Sequence, residues 1–195
     1  MRSVFAVVGG AIFLITQTVA LAATPVPVSG GAATLSPDNT KIQFVGTHSG
    51  AKPDPRTGGF AKFKGKAEID PAKKTLKAVN VEIDTSSLFT EIQKLTDHLK
   101  SPDFFEVREY PKATFESTKI VAGASGKATI TGKLVLHGVT KEISFPATVE
   151  VGEKGLTLTS EFSIDRTQFG MTFGEGKVEP KVSMTVIVGE KTTPK

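Results

Sequence analysis

The sequence predicts an all-β fold, a barrel or a sandwich built from about eight short antiparallel strands. Apolar and polar residues alternate along most of the chain after residue 40, and turns rich in glycine and proline separate the alternating segments at short intervals. One stretch alone, residues 90–111, departs from this alternation and carries helical spacing. The chain contains no cysteine, so a folded exported form would depend on its hydrophobic core, which favours a large barrel or sandwich over a small disulfide-bonded fold.

The N-terminus has the three parts of a signal peptide. Arg2 precedes an apolar run over residues 4–15, and small residues at Ala20 and Ala22 form a cleavage site. Gly9 interrupts the run, which favours a cleaved signal over a permanent membrane helix, with an uncleaved anchor as the alternative. The predicted organisation is a signal peptide (1–22), a flexible linker (23–33) and one β-barrel domain (34–191), located in the periplasm or secreted after cleavage.

Eight segments of the mature chain are predicted strands. In a typical one, Val79, Val81 and Ile83 alternate with polar residues, so one face of the strand is apolar. Residues 50–59, rich in proline and glycine, are predicted to be a loop. The predicted strands are residues 41–48, 60–70, 75–84, 113–121, 127–137, 141–151, 155–165 and 178–188.

The non-alternating stretch predicts one short amphipathic helix. Ile92, Leu95 and Leu99 recur at helical spacing. Thr90 and Gln93 have the spacing of a capping box, which places the helix N-terminus at Thr90. We expect this helix to act as a lid or wall for the sheet.

A second, very short helical turn is predicted directly after the helix. Pro102 suits the first position of a helical turn, because its missing N–H has no partner there in any case. Phe104 and Phe105 follow it, so this turn is expected to present two aromatic rings beside the barrel.

Several residues on the predicted inward face are small. An eight-stranded barrel is wide enough either to be filled by side chains or to hold one slender ligand. Small residues would leave space if they lie at the same depth, or would accommodate large neighbours and sheet curvature if they do not. They are Gly65, Ala67, Ala128, Gly132 and Ala147.

The sequence offers little for catalysis or metal binding. Its three histidines, His48, His98 and His137, lack close ligand spacing, so no metal site and no catalytic residue is predicted. Arg166 follows a predicted strand, where it would pair with a carboxylate at the barrel rim or hold the polar head of a ligand. The formal charge of +4 is spread over alternating lysine and acidic residues, which argues against nucleic-acid binding.

Three motifs together resemble the YceI family. They are TDHLKSPDFFEVREYPKATFEST, GKLVLHGVTKEISFPATV and FSIDRTQFGM, and the likeness extends from about Leu35 to the last strand. The resemblance implies an extended, eight-stranded antiparallel, lipocalin-like barrel whose long pore binds polyisoprenoids or similar amphiphilic lipids. This chain departs from the family in having Leu35 where an aromatic residue is usual and in the long segment HSGAKPDPRTGGF.

The resemblance and the strand pattern give candidate binding residues. His48, His98 and Arg166 are the expected polar contacts at the head group or rim. The predicted pore lining comprises Phe44, Phe63, Val81, Ile83, Phe104, Phe105, Phe115, Ile130, Gly132, Leu134, Leu136, Phe145, Val149, Leu158, Phe162, Val182, Met184 and Val186.

The leading functional hypothesis is a lipid-binding barrel that shelters a long apolar chain without catalysis or cofactor. One alternative is an enzyme that acts on an isoprenoid or another amphiphile with His98 or His48 as the base. Another is a structural envelope protein with a packed barrel and no ligand. The expected partner is an amphiphilic lipid, with transient membrane contact; a homodimer would need a surface other than a sheet edge, since closure removes edges.

Overall fold

The structure, a computed structural model, describes residues 23–50 and 52–194. Within them, eleven strands form one antiparallel sheet, interrupted by one α-helix and two short 3-10 helices, which confirms the all-β class and exceeds the predicted strand number. The helix is α1 (Gln93–Lys100) and the 3-10 helices are Thr85–Ser87 and Arg166–Phe169. The strands are β1 (Ala32–Leu35), β2 (Thr40–His48), β3 (Asp54–Phe60), β4 (Phe63–Asp70), β5 (Thr75–Asp84), β6 (Leu88–Thr90), β7 (Lys112–Ala122), β8 (Lys127–Leu136), β9 (Val139–Gly152), β10 (Gly155–Asp165) and β11 (Lys181–Val188).

The pairing order requires this sheet to curl on itself. The order is β1-β4-β5-β7-β8-β9-β10-β11-β2-β3-β6. In a flat sheet, β1 and β2 would lie about 38 Å apart at about 4.8 Å per strand. Residues 36–39 alone join them, and a connection of that length spans less than about 18 Å. β1 and β2, eight positions apart in the order, therefore lie within that distance of each other, and the sheet forms the predicted lipocalin-like barrel.

The prediction of a loop over residues 50–59 is wrong, because β3 occupies most of it. β3 pairs with β2 through Gly58 opposite Phe44 and Gly59 opposite Gln43. A Cβ on Gly58 would lie 2.3 Å from the Phe44 ring, and one on Gly59 would lie 2.9 Å from the Phe89 ring. In β3, each glycine accommodates an aromatic ring within a strand. The sequence analysis predicted a loop because glycine and proline are frequent in this segment.

Two other predicted strand boundaries change. The predicted strand 60–70 is interrupted at residues 61–62, so its first residue belongs to β3 and the remainder forms β4. The last strand begins at Lys181, because Val178 forms only an isolated bridge with His48. β1 and β6, which the sequence analysis did not predict, pair with β4 and β3 respectively.

The prediction of a flexible linker over residues 23–33 is also wrong. The Thr24 N–H donates to the Gly189 carbonyl at 2.7 Å, and Val26 exchanges two backbone hydrogen bonds with Leu156. Val26 is 3% exposed and packs in the main core cluster with Leu156 and Val188. We call the end of the barrel at these three residues the closed end. The backbones approach this closely because Gly155 has no Cβ: one built there would lie 2.1 Å from the Val26 oxygen. The predicted signal peptide, residues 1–22, lies outside the described residues.

The helix is found where it was predicted, but its predicted cap is wrong. α1 begins at Gln93 after Ile92, and no side chain caps its N-terminus. Thr90 belongs to β6, where it pairs with Gly58, so it is a strand residue and does not start the helix. Its N–H instead donates to the Thr96 Oγ1 at 2.9 Å. No helix in the described part of the chain is long and apolar enough to span a membrane.

Candidate functional site

The barrel interior contains an apolar cavity of about 180 Å³ beside α1, which we call the outer chamber. The rings of Phe44, Phe60 and Phe105 pack against one another in it, with centroids 5.8 to 6.3 Å apart. Its lining residues are Phe44, Gly46, Thr47, His48, Arg56, Phe60, Ile83, Leu95, His98, Leu99, Phe104, Phe105, Ala113, Leu134, Leu136, Ile164, Arg166, Met171, Phe173, Val178, Val182 and Met184.

A second cavity of about 120 Å³ lies toward the closed end, and we call it the inner chamber. The Phe145 ring stacks on Phe162 at 4.3 Å and contacts Phe115 at 5.4 Å between centroids. Thr40 supplies a polar side chain among lining residues that are otherwise apolar. The lining residues are Leu35, Thr40, Ile42, Phe63, Ala67, Val79, Val81, Ile83, Phe115, Ile130, Leu134, Ile143, Phe145, Leu156, Leu158, Phe162, Ile164, Met184, Val186 and Val188.

The two chambers adjoin at four residues that line both of them: Ile83, Leu134, Ile164 and Met184. We call these four the waist. Met184 shows the arrangement, because on β11 it lies opposite Phe44, which lines the outer chamber, and opposite Phe162, which lines the inner one. The chambers therefore follow one another along a single apolar pore.

The structure places most of the predicted pore-lining residues on these two walls. Gly132 and Val149 line neither chamber. The predicted residues of the outer chamber are Phe44, Phe104, Phe105, Leu136 and Val182; those of the inner chamber are Phe63, Val81, Phe115, Ile130, Phe145, Leu158, Phe162 and Val186; Ile83, Leu134 and Met184 belong to both.

Gly132, a predicted lining residue, has no open space beside it. A Cβ at this position would lie 2.5 Å from the Phe115 ring and 2.5 Å from the Glu116 carbonyl oxygen. Gly132 therefore accommodates the Phe115 ring, and that ring occupies the space beside it. Of the two explanations for small inward residues, accommodation of a large neighbour holds here. Val149, the other exception, packs against the main core cluster beside Leu158, its partner on β10.

Arg166 neither pairs with a carboxylate at the rim nor stands free for a head group. It is 4% exposed, and its guanidinium donates to the carbonyls of Met171, Val178 and Glu179. Burial lowers its pKa, and the neighbouring charge of Asp165 opposes that shift. These bonds fix the loop between the second 3-10 helix and β11, whose residues line one side of the outer chamber. Arg166 is therefore a buried anchor of the chamber wall.

Four exposed residues lie at the solvent side of the outer chamber, and we call them the mouth: His48, Arg56, His98 and Phe173. The His98 ring packs edge-on against Phe173, with centroids 5.1 Å apart, and its Nε2 lies 2.8 Å from Asp103 Oδ2. The predicted polar residues His48 and His98 thus share this end of the pore, although they come from β2 and α1.

Phe173 and Met171 line the outer chamber from an irregular loop, so no periodic pattern marked them. Ile42 and Ile143 of the inner chamber continue the alternation of Phe44 and Phe145, and the pattern could have identified them. His137 lies outside both linings. Its Nδ1 is 3.0 Å from the Phe169 carbonyl, which places it in a structural contact.

No cluster of histidine and acidic side chains suited to a metal ion occurs in residues 23–50 and 52–194. An apolar pore of two chambers, with its polar residues at one end, is an arrangement that can shelter an apolar chain. A model of the YceI-like domain matches residues 34–189 of this chain, nearly the whole barrel. The chain belongs to the YceI-like domain family.

Relatives of this YceI-like protein include UPF0312 proteins. Those of Pseudomonas syringae pv. tomato and Vibrio campbellii are 42% and 41% identical over 91 and 90 residues, which is 47% and 46% of this chain. The match covers 47% and 48% of those proteins, so the chain spans about half the length of the curated relatives it matches.

Solved structures share the barrel. BcnA of Burkholderia cenocepacia is 26% identical with a TM-score of 0.68, covering 76% of this chain and 94% of BcnA. A Campylobacter jejuni YceI protein is 28% identical with a TM-score of 0.58, covering 73% and 86%. A polyisoprenoid binding domain from Saccharophagus degradans has a TM-score of 0.61 at 15% identity, covering 80% and 95%, and shows the common fold.

Proposed function

We propose that this protein is an exported, non-catalytic carrier that holds a long-chain amphiphilic lipid, a polyisoprenoid by preference, in the two chambers. The observation that carries the proposal is the continuity of the pore: two apolar cavities of about 180 and 120 Å³ share the four waist residues. Protein interiors contain few voids larger than a water molecule, so an interior of this kind favours a ligand over a packed structural barrel.

The energetics suit an apolar chain. Each methylene group moved from water into such a pore contributes about 0.8 kcal/mol, before the cost of ordering the chain. The inner chamber, with Thr40 among apolar side chains, offers little to a polar group. A head group would therefore stay at the mouth beside His48, Arg56 and His98, with the tail pointing to the closed end.

The comparisons support the choice of lipid. The chain shares the YceI-like domain, and its fold is that of a domain described as polyisoprenoid binding in Saccharophagus degradans. A prenyl chain is slender, apolar and flexible, which matches a pore lined by aromatic and aliphatic side chains. Export to the periplasm rests on the signal-like residues 1–22. Transient contact with a membrane and formation of a homodimer remain predictions from the sequence.

Mass spectrometry of an organic extract tests the proposal. The mature protein would be purified without detergent from a bacterial periplasm, extracted, and compared with an equal amount of a periplasmic protein that lacks a pore. We expect one prenyl or acyl species at near-equimolar amount in the barrel sample alone. An empty extract, repeated after incubation of the folded protein with membrane lipids, would contradict the proposal and favour a structural barrel.

Catalysis has a separate test, because the two candidate bases can be removed together. His48 and His98 lie at the mouth and outside the buried core, so a double alanine variant should fold. If the protein is a carrier, the double variant still has the apolar walls that bind the chain and should retain most of its lipid affinity. Conversion of the bound lipid by the native protein, lost in the double variant, would instead identify an enzyme.

A further inference from the structure

We infer that Met184 controls how far a ligand chain enters the pore and so determines the preference for chain length. The inference rests on the proposed function and adds a specificity-determining residue to it. It follows from the way in which the two chambers meet and from the chemical difference between Met184 and the other three members of the waist.

The waist residues come from separate strands of the barrel wall. Ile83 comes from β5, Leu134 from β8 and Ile164 from β10, and Met184 comes from β11, so four strands of the barrel contribute one apolar side chain each. A chain that extends from the outer to the inner chamber passes along these side chains, because they line both chambers. The side chains of the waist therefore control how deeply a ligand chain enters the pore.

The chambers are small enough that crossing the waist affects the affinity for a long chain. An apolar cavity of about 150 Å³ is known to hold one benzene molecule, and each chamber is of that order. The outer chamber together with the mouth has room for a short chain. A longer chain gains further buried contacts only by crossing the waist, so its added affinity depends on access to the inner chamber.

Met184 is the adjustable member of the waist. Ile83, Leu134 and Ile164 are branched and have few rotatable bonds, whereas methionine is unbranched and fills irregular space in several conformations. Met184 is half-buried, and it lies opposite Phe44 on one side and Phe162 on the other. Movement of its thioether therefore opens or narrows the passage with little change in the surrounding walls.

The test compares geraniol with geranylgeraniol, which has twice as many carbon atoms, by isothermal titration to the native protein, M184W and S183W. Ser183 is the exposed neighbour on the same strand, so S183W controls for a tryptophan on β11 that points away from the pore. Each buried methylene contributes about a fourfold factor in affinity. We expect M184W to weaken geranylgeraniol binding at least about thirtyfold and geraniol binding less than about threefold, with S183W unchanged for both.

The outcomes separate the inference from the function on which it rests. If the native protein binds geranylgeraniol and M184W weakens both alcohols equally, or neither, Met184 does not control penetration and the inference is overturned. If the native protein binds neither alcohol, the proposed prenyl carrier is contradicted and the inference falls with it. Should M184W fail to fold by circular dichroism, M184F makes the same comparison with a side chain closer to methionine in volume.

Discussion

The two ends of the barrel are built differently. At the closed end, Val26 and Leu156 are 3% and 0% exposed and are joined by backbone hydrogen bonds. At the mouth, Phe173 is 45% exposed and contacts His98, which is itself exposed. The closed end buries its apolar side chains against backbone that is already paired, whereas the mouth combines three polar side chains with one exposed aromatic ring.

Apolar residues therefore serve two purposes in this barrel. At the closed end, the N-terminal segment packs against Leu156 and Val188 of the inner chamber, so burial there contributes to folding stability. The mouth leaves aromatic area in contact with water, which costs stability but leaves a path into the pore. Substitutions at the closed end should therefore change folding, and substitutions at the mouth should change ligand exchange.

The largest effect is expected from Gly155→Ala at the closed end. Gly155 has a φ of +131°, and an added Cβ would lie 2.1 Å from the Val26 oxygen, so the N-terminal segment would have to move away. We expect the free energy of unfolding to fall by about 4 kcal/mol in urea denaturation. Gly152→Ala is the matched control, because Gly152 pairs with Gly155 and a Cβ there would meet nothing within 4 Å. Equal losses in the two variants would contradict this account.

Arg166→Lys tests whether the wall of the outer chamber also depends on buried contacts. Lysine cannot reproduce three guanidinium bonds to the carbonyls of Met171, Val178 and Glu179, so buried and half-buried acceptors would lose their donors. The expected loss is about 3 kcal/mol of unfolding free energy. Arg56→Lys, at an exposed ion pair with Asp54, should cost less than about 1 kcal/mol. A loss below that in Arg166→Lys would show that the loop holds its position without the arginine.

Asp165→Asn should have a smaller, pH-dependent effect beside Arg166. The hydrogen bond from the Thr167 hydroxyl is the main cause that lowers the pKa of Asp165 below its ordinary value of 3.8. A lowered folded-state pKa gives stability that is present above the unfolded value and is lost as the pH falls through the folded value. We expect a loss of about 1 kcal/mol at neutral pH that shrinks below about pH 4 in thermal melts. Asp38→Asn, whose side chain is 87% exposed, should show no such change, and a loss that grows in acid would refute the assignment.

Phe173→Ala should have the smallest effect on stability and the clearest effect on exchange. Its ring is half exposed and contacts His98 and Phe104, so truncation should cost about 0.5 kcal/mol of unfolding free energy. The loss of these ring contacts should speed the association and dissociation of a fluorescently labelled geranylgeraniol about threefold in stopped-flow measurements. Val121→Ala, at an exposed apolar residue outside both chamber linings, is the control. Unchanged exchange rates in Phe173→Ala would show that the ring does not restrict entry.

Much of the barrel wall could be predicted because strand alternation is a local property. In an extended chain, every second side chain points to the same face, so Val81 and Ile83 are assigned together from the sequence alone. The helix was likewise predictable from the spacing of Leu95 and Leu99, which line the outer chamber. Its cap was not, since the pairing of Thr90 with a distant strand decides the backbone conformation there.

The errors have a common cause in contacts between distant residues. Read locally, Gly58 indicates a loop and Gly132 indicates open space in the pore, but both lie within strands and accommodate the rings of Phe44 and Phe115. The N-terminal segment looks like a linker by composition, yet it pairs with Leu156, far along the chain. These contacts depend on which distant segment packs against the residue, and amino-acid composition carries no information about that.

Local patterning along the chain was enough to predict a β-barrel with one helix, the inward-facing residues on most strands and the resemblance to the YceI family. The two chambers joined at Met184, the burial of Arg166 and the position of the closed end became apparent only in the folded molecule. The direction of a side chain follows from its own strand, whereas the shape of a cavity follows from how all the strands are brought together.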